Sequence, residues 1–278
     1  MDNPIETRSG GASTCMLIAS CDAYSDLWPA LSMAMSRHWP DCPFPRFLLT
    51  NHKKAPAGFS TLAVGRDISW SANLICALNQ LEEDYVLLSV DDLLLQKPVR
   101  TDAVLEAVRW ASVTGVTALQ MVSFEHIWSG AWSVRRPPAV WLPPGATYRA
   151  SAVFTLWNRN GLLRILNPAE NAWEFEYRGS ERLPASSAPF LTTRSHFSYL
   201  NCVIKGKLTR SAVSFFHDNG YPLPTSRRVM TVREQCWFLC LRLRSCALRT
   251  VPFSCRTALK RAIQRAASSV QRIAAWSS

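Results

Sequence analysis

Two adjacent carboxylates, Asp91 and Asp92, interrupt the apolar run Tyr85 to Val99, YVLLSVDDLLLQKPV. Paired carboxylates of this kind suit a hard cation, Mg²⁺ or Mn²⁺, which prefers oxygen ligands and often bridges carboxylates to a diphosphate. The same residues also fit a plain polar turn after a strand. A second acidic set lies in NPAENAWEFEYRGSER, where Glu170, Glu174 and Glu176 stand beside Trp173 and Phe175. A carboxylate against aromatic walls loses solvation, and its pKa rises toward a range useful for proton transfer. If WEFEY is extended, Glu174 and Glu176 share one side and Trp173 and Phe175 the other. As surface acids the same glutamates do no chemistry.

These groups need elements to hold them. Tyr85 to Leu88 reads as continuously hydrophobic, as in a parallel strand buried on both faces. Carboxylates at the C-terminal end of such a strand lie where open α/β sheets bind ligands. Around it the chain alternates. Cys15 to Ser20 is a first strand, Tyr24 to Trp39 a helix, and Arg46 to Thr50 a strand. Phe59 to Val64 is a short strand, and Ser71 to Leu81 a helix with Leu74, Ile75, Leu78 and Leu81 on one face. Thr101 is the expected N-cap of a helix through Ala111, and Val113 to Met121 is the next strand. This order predicts a mostly parallel sheet of the nucleotide-binding kind. The segment 123–147 holds Trp128, Trp132 and Trp141 with four prolines and reads as a long loop; its rings either cover the core or stack on sugar faces. Ala150 to Trp157 is then a strand, Asn160 to Leu166 a short helix, and the acidic WEFE segment a loop.

Composition bounds the answer. At 278 residues and 48% hydrophobic, the chain can bury a core as one large domain or a domain with an appendage. No apolar run reaches the length of a membrane span, and MDNPIETRSGGAST lacks the layout of a signal peptide. The nine cysteines are scattered and form no C-x-x-C pair, as expected of free thiols in a reducing compartment rather than of disulfides or a zinc site. Charge is uneven. Up to Ser226 there are 20 Lys and Arg against 19 Asp and Glu; from Arg227 onward there are 11 against one. The basic tail calls for an anionic partner.

Taken in order, SCDAYSDLW, RFLLTN, SWSANLICAL, YVLLSVDDLLLQKPV, TYRASAVFTLWNRNGLL and ENAWEFE resemble a bacterial GT-A-type glycosyltransferase family that builds capsule, lipopolysaccharide or other surface polysaccharides. The likeness runs from about Cys15 to about Met230. It implies an α/β fold of the GT-A, Rossmann-like type: a mostly parallel sheet flanked by helices, here with a C-terminal basic helical extension. It divides the chain into a lead-in (1–14), a glycosyltransferase domain (15–230) and a tail (231–278). The implied activity is transfer of a sugar from a nucleotide-sugar donor, of uridine-diphosphate type, to a hydroxyl of a glycan or lipid-linked acceptor.

Site residues follow from the same resemblance. The family's Asp-x-Asp, aligned on Lys97-Pro98, places Asp92 on the second aspartate, Asp91 on the variable middle position and Val90 on the first aspartate. Asp92 is therefore the expected contact to a divalent metal (Mn or Mg) or to diphosphate, with metal dependence in question because of Val90. Lys205 and Lys207, or Arg227 and Arg228, are alternative counter-charges for phosphate. Cys21, Asp22 and Tyr24 follow the first strand where base and ribose are expected, and Asn51 and Ser71 stand at other element ends. Asp22 is equally suited to capping the next helix. Inverting transfer needs a base, for which Glu174 is preferred, with Glu176 or Glu170 as structural partner. Trp157 and Trp173 are the expected acceptor walls. His217 is open to metal ligation or to a turn role.

In the tail, Leu259, Ile263, Ala266, Val270 and Ile273 recur at helical spacing among Arg256, Lys260, Arg261, Arg265 and Arg272. A basic amphipathic helix of this kind lies in the surface of an anionic membrane, which predicts a cytoplasmic protein peripheral on the inner face of the cell membrane. The other reading is a basic helix packed on its own domain. No nucleic-acid module is visible, and no nucleic-acid partner is expected. A second function class stays open: a catalytically weakened nucleotide-sugar-binding or scaffolding protein of the same pathway.

Overall fold

The computed structural model describes residues 12–122, 139–146, 148–192, 194–238 and 240. Trp128, Trp132 and the amphipathic tail pattern from 241 onward lie outside them. Described residues up to Val229 form one unit, and Met230 begins a second. Within the second unit 232–238 is helical. Glu234 accepts from Thr231 N (2.8 Å) and Thr231 Oγ1 (3.2 Å), which closes the start of that helix.

The main unit is built on one eight-stranded sheet. Its elements begin with β1 (Thr14–Ala19), α1 (Trp28–His38), β2 (Arg46–Thr50), β3 (Ser60–Ala63), α2 (Trp70–Leu78) and β4 (Tyr85–Val90). There follow β5 (Leu93–Leu95), α3 (Thr101–Thr114), β6 (Ala118–Gln120), β7 (Ala139–Trp141), β8 (Thr155–Asn158) and α4 (Arg159–Ile165). Next comes a helical stretch made of α5 (Ala172–Glu174), a π turn (Phe175–Gly179) and α6 (Ser180–Arg182). The rest is β9 (Pro189–Thr192), β10 (Tyr199–Asn201), β11 (Val203–Ile204), β12 (Lys207–Leu208) and α7 (Arg210–Asn219). The sheet order is β3-β2-β1-β4-β8-β6-β9-β7. β1, β2, β3 and β4 are mutually parallel, and β6 and β9 are parallel to each other. β8 runs antiparallel between β4 and β6, and β7 antiparallel on β9. The result is the α/β, Rossmann-like, mostly parallel sheet flanked by helices that the residue pattern predicts.

The alternation of strand side chains splits the core in two. Met16, Ile18 and Leu87 pack with Leu31, Met35 and Val104 on the α1 and α3 side. Cys15, Leu17, Val86 and Leu88 pack with Leu74, Leu78 and Leu162 on the α2 and α4 side. Both faces of β1 and β4 are therefore dry, which is why these strands read as unbroken apolar runs.

Several expected boundaries move. α3 continues to Thr114 and stops at Gly115, whose φ of 65° is left-handed and suits glycine, so β6 is short and starts at Ala118. Thr101 is not a cap; its hydroxyl accepts from Trp39 Nε1 at 2.9 Å, and the residue before the helix, Arg100, caps nothing. β8 is limited to Thr155–Asn158 because 148–154 is a folded loop, with Tyr148 at φ 58° and Phe154 at φ 38°. The WEFE segment is helical rather than a loop. The described cysteines are all free thiols.

Candidate active site

The carboxyl ends of the parallel strands bring together the loops after β1, β2, β3 and β4. Asp91 and Asp92 leave β4 between that sheet and β5, which pairs with β10. Asp91 is buried and accepts from Ser20 Oγ, while Ser20 Oγ accepts from Trp28 Nε1 at 2.8 Å. This relay ties the end of β4 to the end of β1 and the first residue of α1. Burial pushes the Asp91 carboxyl well above the usual range, the neighbouring Asp92 pushes it further, and the Ser20 bond and Arg227 oppose the rise. Asp92 is half-buried, and no residue bonds its side chain among the described contacts. Burial raises it to about 7, against the opposing pull of its own backbone N–H and of Arg227. Its carbonyl accepts from Cys202 N at 2.8 Å, which fixes the β4–β5 turn.

Arg227 closes the far side of this group. Its Nε and Nη2 reach Asp26 Oδ2 and Oδ1, both at 2.7 Å, and its guanidinium carbon lies 4.2 Å from the centre of the Tyr24 ring. The bidentate pair and the stacked ring hold the cation in place. Ser226 Oγ adds a bond to Asp26 at 2.9 Å. Tyr24, Arg227, Asp91 and Asp92 thus share one electrostatic neighbourhood, and each shifts the pKa of another.

Asp22 sits beside them as a clamp. Its carboxylate accepts from the backbone N–H groups of Asn51 (3.0 Å), His52 (3.0 Å) and Lys53 (3.1 Å). Burial works to raise its pKa, but these N–H groups and Lys53 bring it below the usual value. Asn51 answers with Oδ1 accepting from Asp22 N, and its Nδ2 donates to Gly65 O. Asp22 and Asn51 therefore lock the β1, β2 and β3 loops to one another, and Asp22 does not cap α1, which follows Leu27 with no side-chain cap. Cys21 is half-buried, and burial raises its thiol pKa, with Asp91 and Asp67 adding to the rise. Ser71 is buried inside α2; its N–H donates to Glu170 O, and Ser69 rather than Ser71 caps the helix. Lys205 is exposed at the two-residue β11–β12 turn, with φ 50°, and Lys207 follows on β12.

The acceptor-side residues are distributed differently from expectation. Trp157 is fully buried, donates Nε1–H to Ser151 O at 3.0 Å and packs on Phe175, so it is a core residue and not an exposed wall. Trp173 is 69% exposed. Because WEFEY is helical, Glu174 and Glu176 do not share the face that an extended run would give them. Glu174 accepts from Asn171 N while Asn171 Oδ1 accepts from Glu174 N, a reciprocal cap, and its other oxygen is 3.8 Å from Arg178. Glu176 accepts from Ser151 Oγ and Ala152 N, both at 3.0 Å. Glu170 is buried in a bidentate pair with Arg182 at 2.5 Å. His217 is exposed in the last turn of α7 beside Asp218.

Among the described residues no group of three His, Cys, Asp or Glu is arranged to hold a metal ion. Asp91 is buried with one carboxylate oxygen bonded to Ser20, Val90 brings no side-chain oxygen, and Asp92 is the other carboxylate of the pair. That donor set does not fit a resident divalent ion held by protein ligands.

No family model matches the chain, and neither does any curated protein. Solved structures overlap it in part. TarS from S. aureus aligns with a TM-score of 0.43 and 11% identity over 67% of this chain, which spans only 36% of the TarS chain. A UTP-bound UGPase from Acinetobacter baumannii gives 0.47 and 11% over 84% of this chain and 99% of that one. The galactosyltransferase LgtC, captured with donor and acceptor sugar analogs, gives 0.36 and 12% over 78% and 84%. Scores and identities this low carry no conclusion about activity.

Residue reasoning missed Ser20, Trp28 and Asp26. Ser20 and Trp28 carried no signal beyond their types. Arg227 drew notice only as a spare cation, and nothing in the chain marks Asp26, 201 positions upstream, as its partner.

Proposed function

We propose that this chain transfers a glycosyl group from a nucleoside-diphosphate sugar, of uridine type, to a hydroxyl of a glycan or lipid-linked acceptor in surface-polysaccharide assembly, with inversion. The observation that carries this reading is the Asp91–Asp92 pair at the carboxyl end of β4, gathered with Tyr24 and Arg227 at the edge where open α/β sheets bind ligands. Tyr24 offers its ring to the base. Burial raises the Asp92 carboxyl to about 7, so its protonated form is accessible near neutral pH. In that form it donates to a phosphate oxygen instead of repelling it. Arg227 supplies a fixed positive charge nearby, and Lys205 and Lys207 are further counter-charges. Glu174 is the base for the acceptor hydroxyl, and Trp173 is the acceptor wall. The basic tail holds the enzyme on an anionic membrane face. No helix among the described residues is long and apolar enough to cross a membrane.

A panel of nucleotide sugars, screened by thermal shift with and without Mn²⁺, tests the donor half. A uridine-diphosphate sugar raises the melting temperature of the wild type and leaves Asp92→Ala unmoved. Absence of a shift with every nucleotide sugar overturns the reading. The second reading, donor binding without turnover, draws on the bonds that already occupy Glu170, Glu174 and Glu176 and on Val90 in the aspartate motif. Release of nucleoside diphosphate in the presence of acceptor separates the two. Anionic liposome flotation at low and high salt checks the tail.

A further inference from the structure

Two aromatic rings stand out of the helical stretch that follows α4. Trp173 is 69% exposed and Tyr177 is 66% exposed. They are four residues apart on one continuous helical run, so they lie on the same side, roughly 5–6 Å apart at their Cβ atoms. Apart from Trp237 in the second unit, no other described aromatic residue is more than half exposed. Water-exposed Trp and Tyr are costly, and their pairing on one face is not required by the core.

The pedestal beneath them is rigid. Phe175, between the two rings in sequence, is fully buried against Trp70 (5.3 Å) and Trp157 (6.2 Å). Glu176 holds Ser151 and Ala152, Ser180 Oγ holds Ala150 N at 2.9 Å, and Glu170 pairs with Arg182. Gly179 lets the π turn sit against the 148–154 loop; a Cβ there would stand 3.2 Å from the Phe175 ring and 3.4 Å from Ala150 Cβ. Single π turns inside helices recur at functional sites. Beside the rings, the solvent-facing pair Glu174–Arg178 offers a carboxylate and a guanidinium on the same stretch. The 148–154 loop that this stretch grips leads into the start of β8, where Thr155 pairs with Leu88, three residues before Asp91.

We infer that Trp173 and Tyr177 form a stacking platform for an oligosaccharide, with Glu174 and Arg178 bonding its hydroxyls. A pyranose has one apolar C–H face and a rim of hydroxyls. Two rings about one sugar unit apart, flanked by a charged donor and acceptor, match consecutive units of a glycan chain. A lipid or an apolar protein surface would leave the Glu174–Arg178 pair desolvated without compensation. A backbone fixed in advance loses little entropy on binding, which favours a platform on this stretch over a loop that must first fold. The inference rests on the glycosyl-transfer reading and narrows it: the acceptor is an oligosaccharide engaged over at least two units.

The test uses the full chain and neutral saccharides of one to six units built on glucose, galactose, mannose and N-acetylhexosamines. Binding is followed by tryptophan fluorescence and calorimetry. At least one series binds saturably, with the longer members tighter than the monosaccharide. Trp173→Ala and Tyr177→Ala each weaken it by about tenfold, as for truncation of a ring at the centre of an interface. Tyr177→Phe keeps it. The nucleotide-sugar thermal shift is unchanged in all three variants, so failure of the platform and failure of the donor site are read separately. Absence of binding by every oligosaccharide, binding that survives in the double variant, or self-association through these rings without glycan binding overturns the inference.

Discussion

The acids after β4 and the acids of the 170–182 stretch differ in how they are used. Asp91 and Asp92 are crowded, buried to different degrees and shifted upward, and Asp92 has no side-chain bond among the described contacts. Glu170, Glu174 and Glu176 all serve local structure: an ion pair, a reciprocal cap and a tether to the 151–152 loop. One region holds carboxylates in a state that costs stability, and the other spends them to build a rigid support. Strain of the first kind is expected where groups must meet a ligand, and satisfaction of the second kind where they must hold a shape. On the proposed reading, donor chemistry lies at β4 and the helical stretch has a presenting role.

Arg182→Ala breaks the comparison most directly. It leaves Glu170 buried without its counter-charge, so folding stability falls by about 3–5 kcal/mol in denaturant titration. A loss near zero would mean the stretch is not the pedestal described. Asp92→Ala tests the other region. Turnover with a uridine-diphosphate sugar falls by roughly 10³-fold, as for removal of a group that meets developing charge, while the fold is kept. Retained turnover removes Asp92 from the donor site.

Glu174→Gln decides whether the second region also does chemistry. The substitution keeps size and the cap's acceptor oxygen but cannot take a proton. As the base, its loss lowers turnover by roughly 10² or more with donor affinity unchanged. Full turnover, with only a small change in stability, leaves Glu174 as a cap and supports the binding-only reading. Glu176→Gln in parallel reports on the tether to Ser151 and Ala152.

Much of the sheet was legible because its strands are dry on both faces. β1, β2 and β4 are short apolar runs with turn residues at their ends, and α1 and α2 show one apolar stripe each. The Asp91–Asp92 position followed from the same pattern. The failures are of two kinds. WEFEY alternates in type yet is helical, because Asn171 and Glu174 close a helix start and Phe175, not an alternating face, supplies the buried contact. Trp157 could not be told from a surface tryptophan by type; its neighbours Leu156 and Thr155, both buried, show that β8 lies inside the sheet, between β4 and β6. Contacts such as Arg227 to Asp26 come from chain topology that no local pattern encodes.

The smallest effect is on stability against pH, and it sharpens the contrast through Asp92. Its folded pKa, about 7, lies above the unfolded value of 3.8. A carboxyl raised on folding contributes stability that is fully present below the unfolded value and is lost as pH rises through the folded one. Asp91, raised by burial and by Asp92, acts in the same direction. Asp22 and Asp26, whose pKa values are lowered, act oppositely, but their contribution is lost only in acid, below the ordinary carboxylate range. His38 and His196, depressed by burial, favour the folded state as pH rises toward neutrality and partly offset the aspartates. The wild-type curve alone therefore mixes these groups. The difference between wild type and Asp92→Asn isolates Asp92 together with its repulsion of Asp91, because the amide neither titrates nor carries a charge. Melting temperatures measured from pH 5 to pH 8 should show the Asp92→Asn variant gaining steadily on the wild type, by several degrees at the alkaline end. A constant difference across that range would mean that Asp92 is an ordinary carboxylate, and the distinction between the two acidic regions would lose its electrostatic basis.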